Sequence, residues 1–559
     1  MFLKVFARLM RNAASFRDDI RGNIAITFAL CLVPLMLTIG VAINYSGGVL
    51  LQTKLQTATD ATVLALALHL SDTPAQLTAA AQSYMNASDV GVGSTIVSGP
   101  TLSAGGSEVC MTTAAENPAS FFKMSLINVS TTACAASSGT NLEIALVLDN
   151  SGSMEDSAGG EAKIDALKAA ATNFVNSLFA NHPTPSGQTT PALRMSLVPF
   201  QDAVAISSAD TQNGTANWID VNGQSSWEWN GMIPPSNLAS GLTPGTIVNS
   251  RLDIYKWLVA AGGSKYAWRG CFESLPYPMN VQDVTPSISN PDSLYVPTFA
   301  PDEPDKYKNS NLFSNTYLTD DSSSCIGTPP ISPNDPPRQE RICKYEKPGL
   351  SPLKYYWSGP NYACNALPLM RLTTSESSIQ SEISRMVALG DTDLHEAMMW
   401  GWRTLSPNGP FQDGSPYNST KKIIVMMTDG MNFVPAITAS MNNGLPPIGG
   451  SGYGALGYAA FDTGRIPAGY QTVTSQANGN QSPAMDELTR EACANARAAG
   501  ISIYTIGFQA VDIISASGQQ LLKDCAGDPS HFYLVTDEPS LAKALASISL
   551  GASAPHLVK

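Results

Sequence analysis

The apolar pattern of the chain changes period several times. Residues 22–53 carry no charged side chain, and within them Ile24–Ile43 reads IAITFALCLVPLMLTIGVAI. At about 1.5 Å per residue a helix of that stretch is about 30 Å long, the thickness of a bilayer core. Pro34 predicts a bend of a kind that membrane helices tolerate. The pattern then shifts to Leu50, Leu51, Leu55, Ala58, Ala61, Leu64 and Leu68, a helical spacing that continues the membrane helix to about residue 71 with one apolar face. Between 72 and 140, Val90–Ser98, Val109–Thr113 and Leu126–Cys134 predict strands separated by Gly and Ser turns, a small α+β domain.

From about 141 to 552 the pattern alternates between strand and helix. Glu143–Leu148 (EIALVL) is a nearly unbroken apolar run, as expected of a strand covered on both faces. A helix follows at Ala162–Leu178, with Ile164, Leu167, Ala171, Phe174, Val175 and Leu178 on one side. Further strands are predicted at Arg194–Phe200, Lys422–Met427, Ile501–Phe508 and His531–Val535. Further helices are predicted at Ser378–Leu389, Asp393–Leu405, Glu487–Ala499, Gly518–Cys525 and Leu541–Leu550. This alternation predicts an α/β fold with a mostly parallel sheet and helices on both faces. Two stretches interrupt it. Residues 203–385 form a large insertion holding Trp218, Trp227, Trp229, Trp257, Trp268, Trp357 and four cysteines. Its aromatic side chains serve either as its own core or as a recognition surface. Residues 431–484, rich in Gly, Ala, Asn, Pro and Ser, read as a long loop.

Charge settles orientation. Lys4, Arg8, Arg11, Arg17 and Arg21 against Asp18 and Asp19 make residues 1–22 basic in a chain whose total is −13. That flank favours the cytoplasmic side, so the C-terminal body is expected across the membrane. A cleaved signal peptide is the alternative, but the apolar run is long and has no small-x-small site. The overall acidity and the lack of a Lys/Arg cluster exclude nucleic-acid binding. Cys31 lies in the membrane segment and eight cysteines follow it, an even number that permits four disulfides in an oxidising compartment. Cys110–Cys134 and Cys493–Cys525 are the two pairs expected from isolation within their own regions, leaving Cys271, Cys325, Cys343 and Cys364 to pair among themselves.

The candidate chemistry lies just past the first strand of the α/β body. In DNSGSM, Asp149, Ser151 and Ser153 direct three oxygen side chains into one loop, with Gly152 easing the turn. In a parallel sheet the C-terminal strand ends form the ligand crevice. Thr392, in LGDTD, and Asp429, in MMTDG, arrive at the same edge. Two carboxylates and three hydroxyls make a hard-oxygen set that suits Mg2+ (or Mn2+ or Ca2+) rather than zinc or copper. The three hydroxyls are neutral, so a bound ion keeps positive charge to offer to an acidic side chain of a partner.

DNSGSM, GDT and TDG resemble the metal-ion-dependent adhesion site (MIDAS) of a von Willebrand factor type A domain, whose five positions Asp149, Ser151, Ser153, Thr392 and Asp429 meet. That resemblance implies a von Willebrand A-like, Rossmann-like sheet over about 141–206 and 386–552. Residues 21–65 resemble the N-terminal segment of TadG-type proteins of the tight-adherence, or Flp, pilus assembly system. Related pseudopilins have a glutamate where Thr27 stands, five residues after Gly22, which argues against prepilin-peptidase cleavage. Together the resemblances imply a single-pass protein of a bacterial inner membrane, with a cytoplasmic N-terminus and a periplasmic body that binds other pilus-assembly or envelope proteins through its metal. Whether the long helix also drives self-association stays open.

An enzyme is not expected. The five histidines include no HExxH, no G-x-S-x-G elbow occurs, and GVGST lacks a phosphate-loop ending. His395 falls near Thr392 and reads as a packing residue. Two alternatives to metal-mediated assembly stay open: a structural anchor without metal-dependent recognition, and a surface adhesin.

Overall fold

The computed structural model describes residues 23–67, 73–88, 90, 94–102, 108–117, 127–136, 141–182, 191–232, 242–243, 245–305, 315–320, 341–353, 358–364, 367–433, 452–458, 465–470, 482–509, 513–553 and 556–557. The basic segment 1–22, Leu68, Cys325, Trp357 and most of the stretch 431–484 lie outside the described residues. The chain divides into two compact units: Met1–Gly139 with Ala554–Lys559, and Thr140–Ser553.

The first unit is built on α1 (Asn23–Leu66). Phe28, Leu30, Val33, Leu35 and Val41 are exposed, and Phe28–Leu66 is long and apolar enough to cross a membrane. The second half of α1 packs on α2 (Pro74–Ala87) and on an antiparallel sheet of β1 (Thr95–Leu102), β2 (Glu108–Asn117) and β3 (Ile127–Ala136). The two residues His556–Leu557 pair antiparallel with β3, so the C-terminal end of the chain completes this sheet. Residues 72–140 are therefore not a domain by themselves, because their core is shared with α1.

The inward face of α1 differs from the expected one. Leu55, Ala58, Val63 and Leu66 are buried, whereas Ala61 is exposed. Thr59 and Thr62, polar by type, also point inward. Each hydroxyl donates to the carbonyl four residues back, Leu55 O and Ala58 O, at 2.7 Å. That internal bond satisfies the hydroxyl and lets threonine sit in an apolar interface. Thr59 also meets Thr113 of β2 at 2.6 Å. Cys110 and Cys134 are directly opposed on β2 and β3 and form a disulfide.

The second unit is an α/β body with a six-stranded, mostly parallel sheet. Its strands are β4 (Leu142–Asp149), β5 (Leu193–Phe200), β6 (Met370–Thr373), β7 (Lys421–Thr428), β8 (Ile501–Phe508) and β9 (Phe532–Val535), in spatial order β9-β8-β7-β4-β5-β6. All pairings are parallel except that of the edge strand β6. Alternate residues of β4 serve opposite faces. Leu142, Ile144, Leu146 and Leu148 join a core with α3 (Lys163–Asn181), α5 (Glu376–Arg385) and α9 (Glu538–Ser553). Ala145 and Val147 join a core with α6 (Leu394–Leu405) and α7 (Ser482–Ala498). The remaining helix that packs on β8 is α8 (Ala516–Ala526). The side chains on the α6 face are smaller because that helix comes close: a Cβ on Gly401 would lie 2.7 Å from Val147 Cγ2.

The expected insertion at 203–385 is corrected at its end. Met370–Thr373 extends the main sheet and Glu376–Arg385 covers it, so the last part of that stretch belongs to the α/β body. The rest of the insertion uses its aromatics in two ways. Phe272 and Tyr295 pack on Trp400 of α6, and Trp218 packs on both of them, making the outer layer of the sheet's second core. Ile254 and Tyr255 of α4 (Arg251–Gly262) form a separate core with Phe299, Tyr317 and Tyr345. All twelve residues of α6 are buried between sheet and insertion. The Gly-rich stretch is tied down at Arg465, whose buried guanidinium binds Glu273 at 2.7 Å and Ser274 O at 2.7 Å. Disulfides join Cys271 with Cys364 and Cys493 with Cys525.

Candidate metal centre

Three loops meet at the C-terminal edge of the sheet, and backbone bonds hold them together. Asn150 N donates to Phe200 O at 2.9 Å, Leu389 N to Asn150 O at 2.8 Å, Gly152 N to Gly390 O at 2.9 Å, and Asp393 N to Gln201 O at 2.9 Å. Gly390 has φ +74°, and a Cβ there would fall 2.3 Å from Asp202 Oδ2. Glycine is thus needed at 390 both for its backbone conformation and for the close approach.

This frame brings the five predicted side chains together. Asp149 ends β4 and is fully buried; its Oδ1 accepts from Ser151 N at 2.7 Å and its Oδ2 from Thr428 Oγ1 at 2.7 Å. Ser151 Oγ and Ser153 Oγ are 3.1 Å apart. Ser153 Oγ donates to Asp429 Oδ1 at 2.8 Å across 276 residues of sequence. Thr392 lies beside the same turn: a Cβ on Gly430 would stand 3.5 Å from its Oγ1, and Phe433 N donates to Thr392 O at 2.9 Å. Asp393 caps α6, accepting from Glu396 N at 2.9 Å.

Electrostatically the edge is rich in buried carboxylates. Burial, and then the nearby Asp429, push the Asp149 carboxyl up to about 7. Burial and Asp391 push Asp202 up to about 8, and burial pushes Asp391 up to about 6. Such a set resists ionising alone and gains from a cation. The five predicted side chains are all oxygen donors and include two carboxylates, so they fit a hard divalent ion. Asp149, Ser151, Ser153, Thr392 and Asp429 are the residues that would hold it.

The sequence reading missed Lys163. This first residue of α3 is fully buried, and its Nζ donates to Asp429 Oδ2 at 2.8 Å. The sequence shows only a lysine opening an otherwise apolar helix face, ten residues after Ser153, and a lysine in that place ordinarily points to water. His395, by contrast, turns away into the core. Its Nε2 lies 2.8 Å from Asn280 O, and burial lowers its pKa.

Comparison with known proteins bears first on the N-terminus. Residues 22–67 match the family described as "Putative Flp pilus-assembly TadE/G-like". No curated protein matches the chain. Similar solved structures include the vWF domain of the type V pili tip protein Mfa5 from Porphyromonas gingivalis, at 10% identity and a TM-score of 0.31, with 74% of this chain and 95% of that one covered. They also include the pilus adhesin SpaC from Lactobacillus rhamnosus GG, at 10% identity and a TM-score of 0.31, with 83% of this chain covered. The pilus adhesin RrgA from Streptococcus pneumoniae is similar at 10% identity and a TM-score of 0.32, with 83% of this chain and 49% of that one covered. The chain spans 34% of the length of the SpaC chain. The N-terminal segment, residues 22–67, is thus of the TadE/G-like Flp pilus-assembly kind.

Proposed function

We propose that this chain is a membrane-anchored component of Flp, or tight-adherence, pilus assembly whose von Willebrand A-like body binds a partner protein through a divalent metal. The observation that carries this reading is the convergence of Asp149, Ser151, Ser153, Thr392 and Asp429 from three loops at one strand edge. The bound ion would supply a Lewis-acid contact for an acidic side chain of the partner. The chain's own residues do the rest. Thr428 and the Ser151 amide orient Asp149, Ser153 orients Asp429, and the Gly152–Gly390 contact fixes the loops. The role is binding rather than catalysis, within an envelope machine.

The topology follows from two supports. The basic residues before α1 favour a cytoplasmic N-terminus. The disulfides in both units favour an oxidising compartment for the body, here the periplasm. Protease added to spheroplasts should then digest the body and spare an N-terminal tag.

Calorimetry on the full chain in detergent tests the site. Mg2+ or Mn2+ should bind the parent and not D149A, with both folded. Absence of binding to a folded parent would leave a structural anchor. Partners that stay bound after chelation would point the same way.

A further inference from the structure

Lys163 is buried without being apolar, and it sits where a positive charge is least welcome. The N-terminus of a helix carries partial positive charge, so a lysine at the first position of α3 is opposed by the helix itself. Ala162 offers no side-chain cap to that helix end. The lysine side chain nonetheless turns inward, to Asp429 Oδ2 at 2.8 Å and Ser153 O at 3.4 Å, and reaches the half-exposed Asp156 only at 3.9 Å. Two of its contacts are therefore to residues of the metal centre.

We propose that Lys163 is a tethered cation that sets the charge of this centre, holding down its affinity for a divalent ion and thereby making stable occupancy depend on an acidic side chain from a partner. The inference rests on the metal-binding reading above. In the ionised form that metal binding requires, Asp149 and Asp429 bring two negative charges, and Lys163 offsets one. An ion entering the centre meets a net charge of one rather than two, together with repulsion from the ammonium. The positive charge left over is what a partner carboxylate answers. At buried separations of a few ångströms, one unit charge changes cation affinity by about tenfold or more.

The test is Mn2+ titration of the full chain and of K163M and K163Q in detergent, with thermal unfolding read with and without Mn2+. Both variants should bind Mn2+ at least about tenfold more tightly than the parent. Their metal-free melting temperatures should fall, since Asp429 loses its cation, and Mn2+ should raise them by more than it raises the parent's. A lysine that only fills space would lower the melting temperature with no gain in affinity; equal or weaker binding by both variants overturns the proposal. Binding by the variants and not by the parent would uphold the lysine's role while removing metal-mediated recognition from the native protein. Absence of binding by all three folded proteins overturns both readings. Should the variants fold only in saturating Mn2+, the proposal stands; should neither fold even then, it falls.

Discussion

The two ends of β4 hold buried charge in opposite balance. Near its start, Glu143 is met by two cations: Lys422, which also donates to Leu405 O at 2.7 Å, and Arg194. Ser415 N adds a bond at 3.0 Å. Burial acts to raise the Glu143 carboxyl, but the bond and charge of Lys422 outweigh it and the pKa is lowered. At the other end the one lysine, Lys163, pairs with Asp429, and burial with that neighbouring carboxylate pushes Asp149 up to about 7. Glu143 and Asp149 lie on the same central strand, and both are almost wholly buried. What differs is the count of cations. Saturated charge makes a closed structural pin, whereas surplus carboxylate makes a centre with an unmet demand for positive charge.

The largest effect should come from breaking the closed end. E143A leaves Lys422 buried without its carboxylate, which costs about 3–5 kcal/mol. Chemical denaturation should show this loss, while Mn2+ affinity of the folded fraction stays as in the parent. At the open end the sign reverses: D149N removes a buried carboxylate that burial disfavours. It should abolish Mn2+ binding in calorimetry yet leave the metal-free protein at least as stable as the parent at pH 8.

Acidity sharpens the contrast further. Asp149 holds its proton more tightly folded than unfolded, where its value is about 3.8. Its contribution to metal-free stability is therefore present at low pH and lost as pH rises through about 7. Metal requires the ionised form, so Mn2+ affinity should weaken as pH falls below about 7. Glu143 runs the other way: its folded pKa is lowered, so its contribution is present above the unfolded value of 4.5 and lost as pH falls through the folded one. The gap between the melting temperatures of D149N and the parent should narrow as pH falls from 8 to 5. A smaller effect tests the packing between the two ends. G401A pushes a methyl against Val147 and should cost about 1–3 kcal/mol, with metal affinity little changed.

Parts of this contrast were legible in the order of residues. DNSGSM carries three of the five oxygens within one turn, and GDT and TDG carry the others at predicted element boundaries, so the open end could be read locally. The closed end could not, because Glu143, Arg194 and Lys422 become neighbours only when β4, β5 and β7 pair in register. Lys163 was hidden for a related reason: a lysine at a helix start usually points to water, and only the packed loops show it turned to Asp429. The short strand Met370–Thr373 escaped because four residues carry too little pattern to show which sheet they join.

The sequence by itself determined the apolar helix at 24–43, the buried strands, the α/β alternation and the oxygen set, because each is written in local periodicity or in a short motif. Tertiary structure alone decided which face of α1 is buried, since internal bonding lets Thr59 and Thr62 replace Ala61 there. It decided that the insertion's Trp218 and Tyr295 roof the α/β core and that His556–Leu557 return to the first unit's sheet. It also decided the charge balance at each end of β4, because ion pairs join side chains far apart in the chain and depend on burial, which no local pattern records.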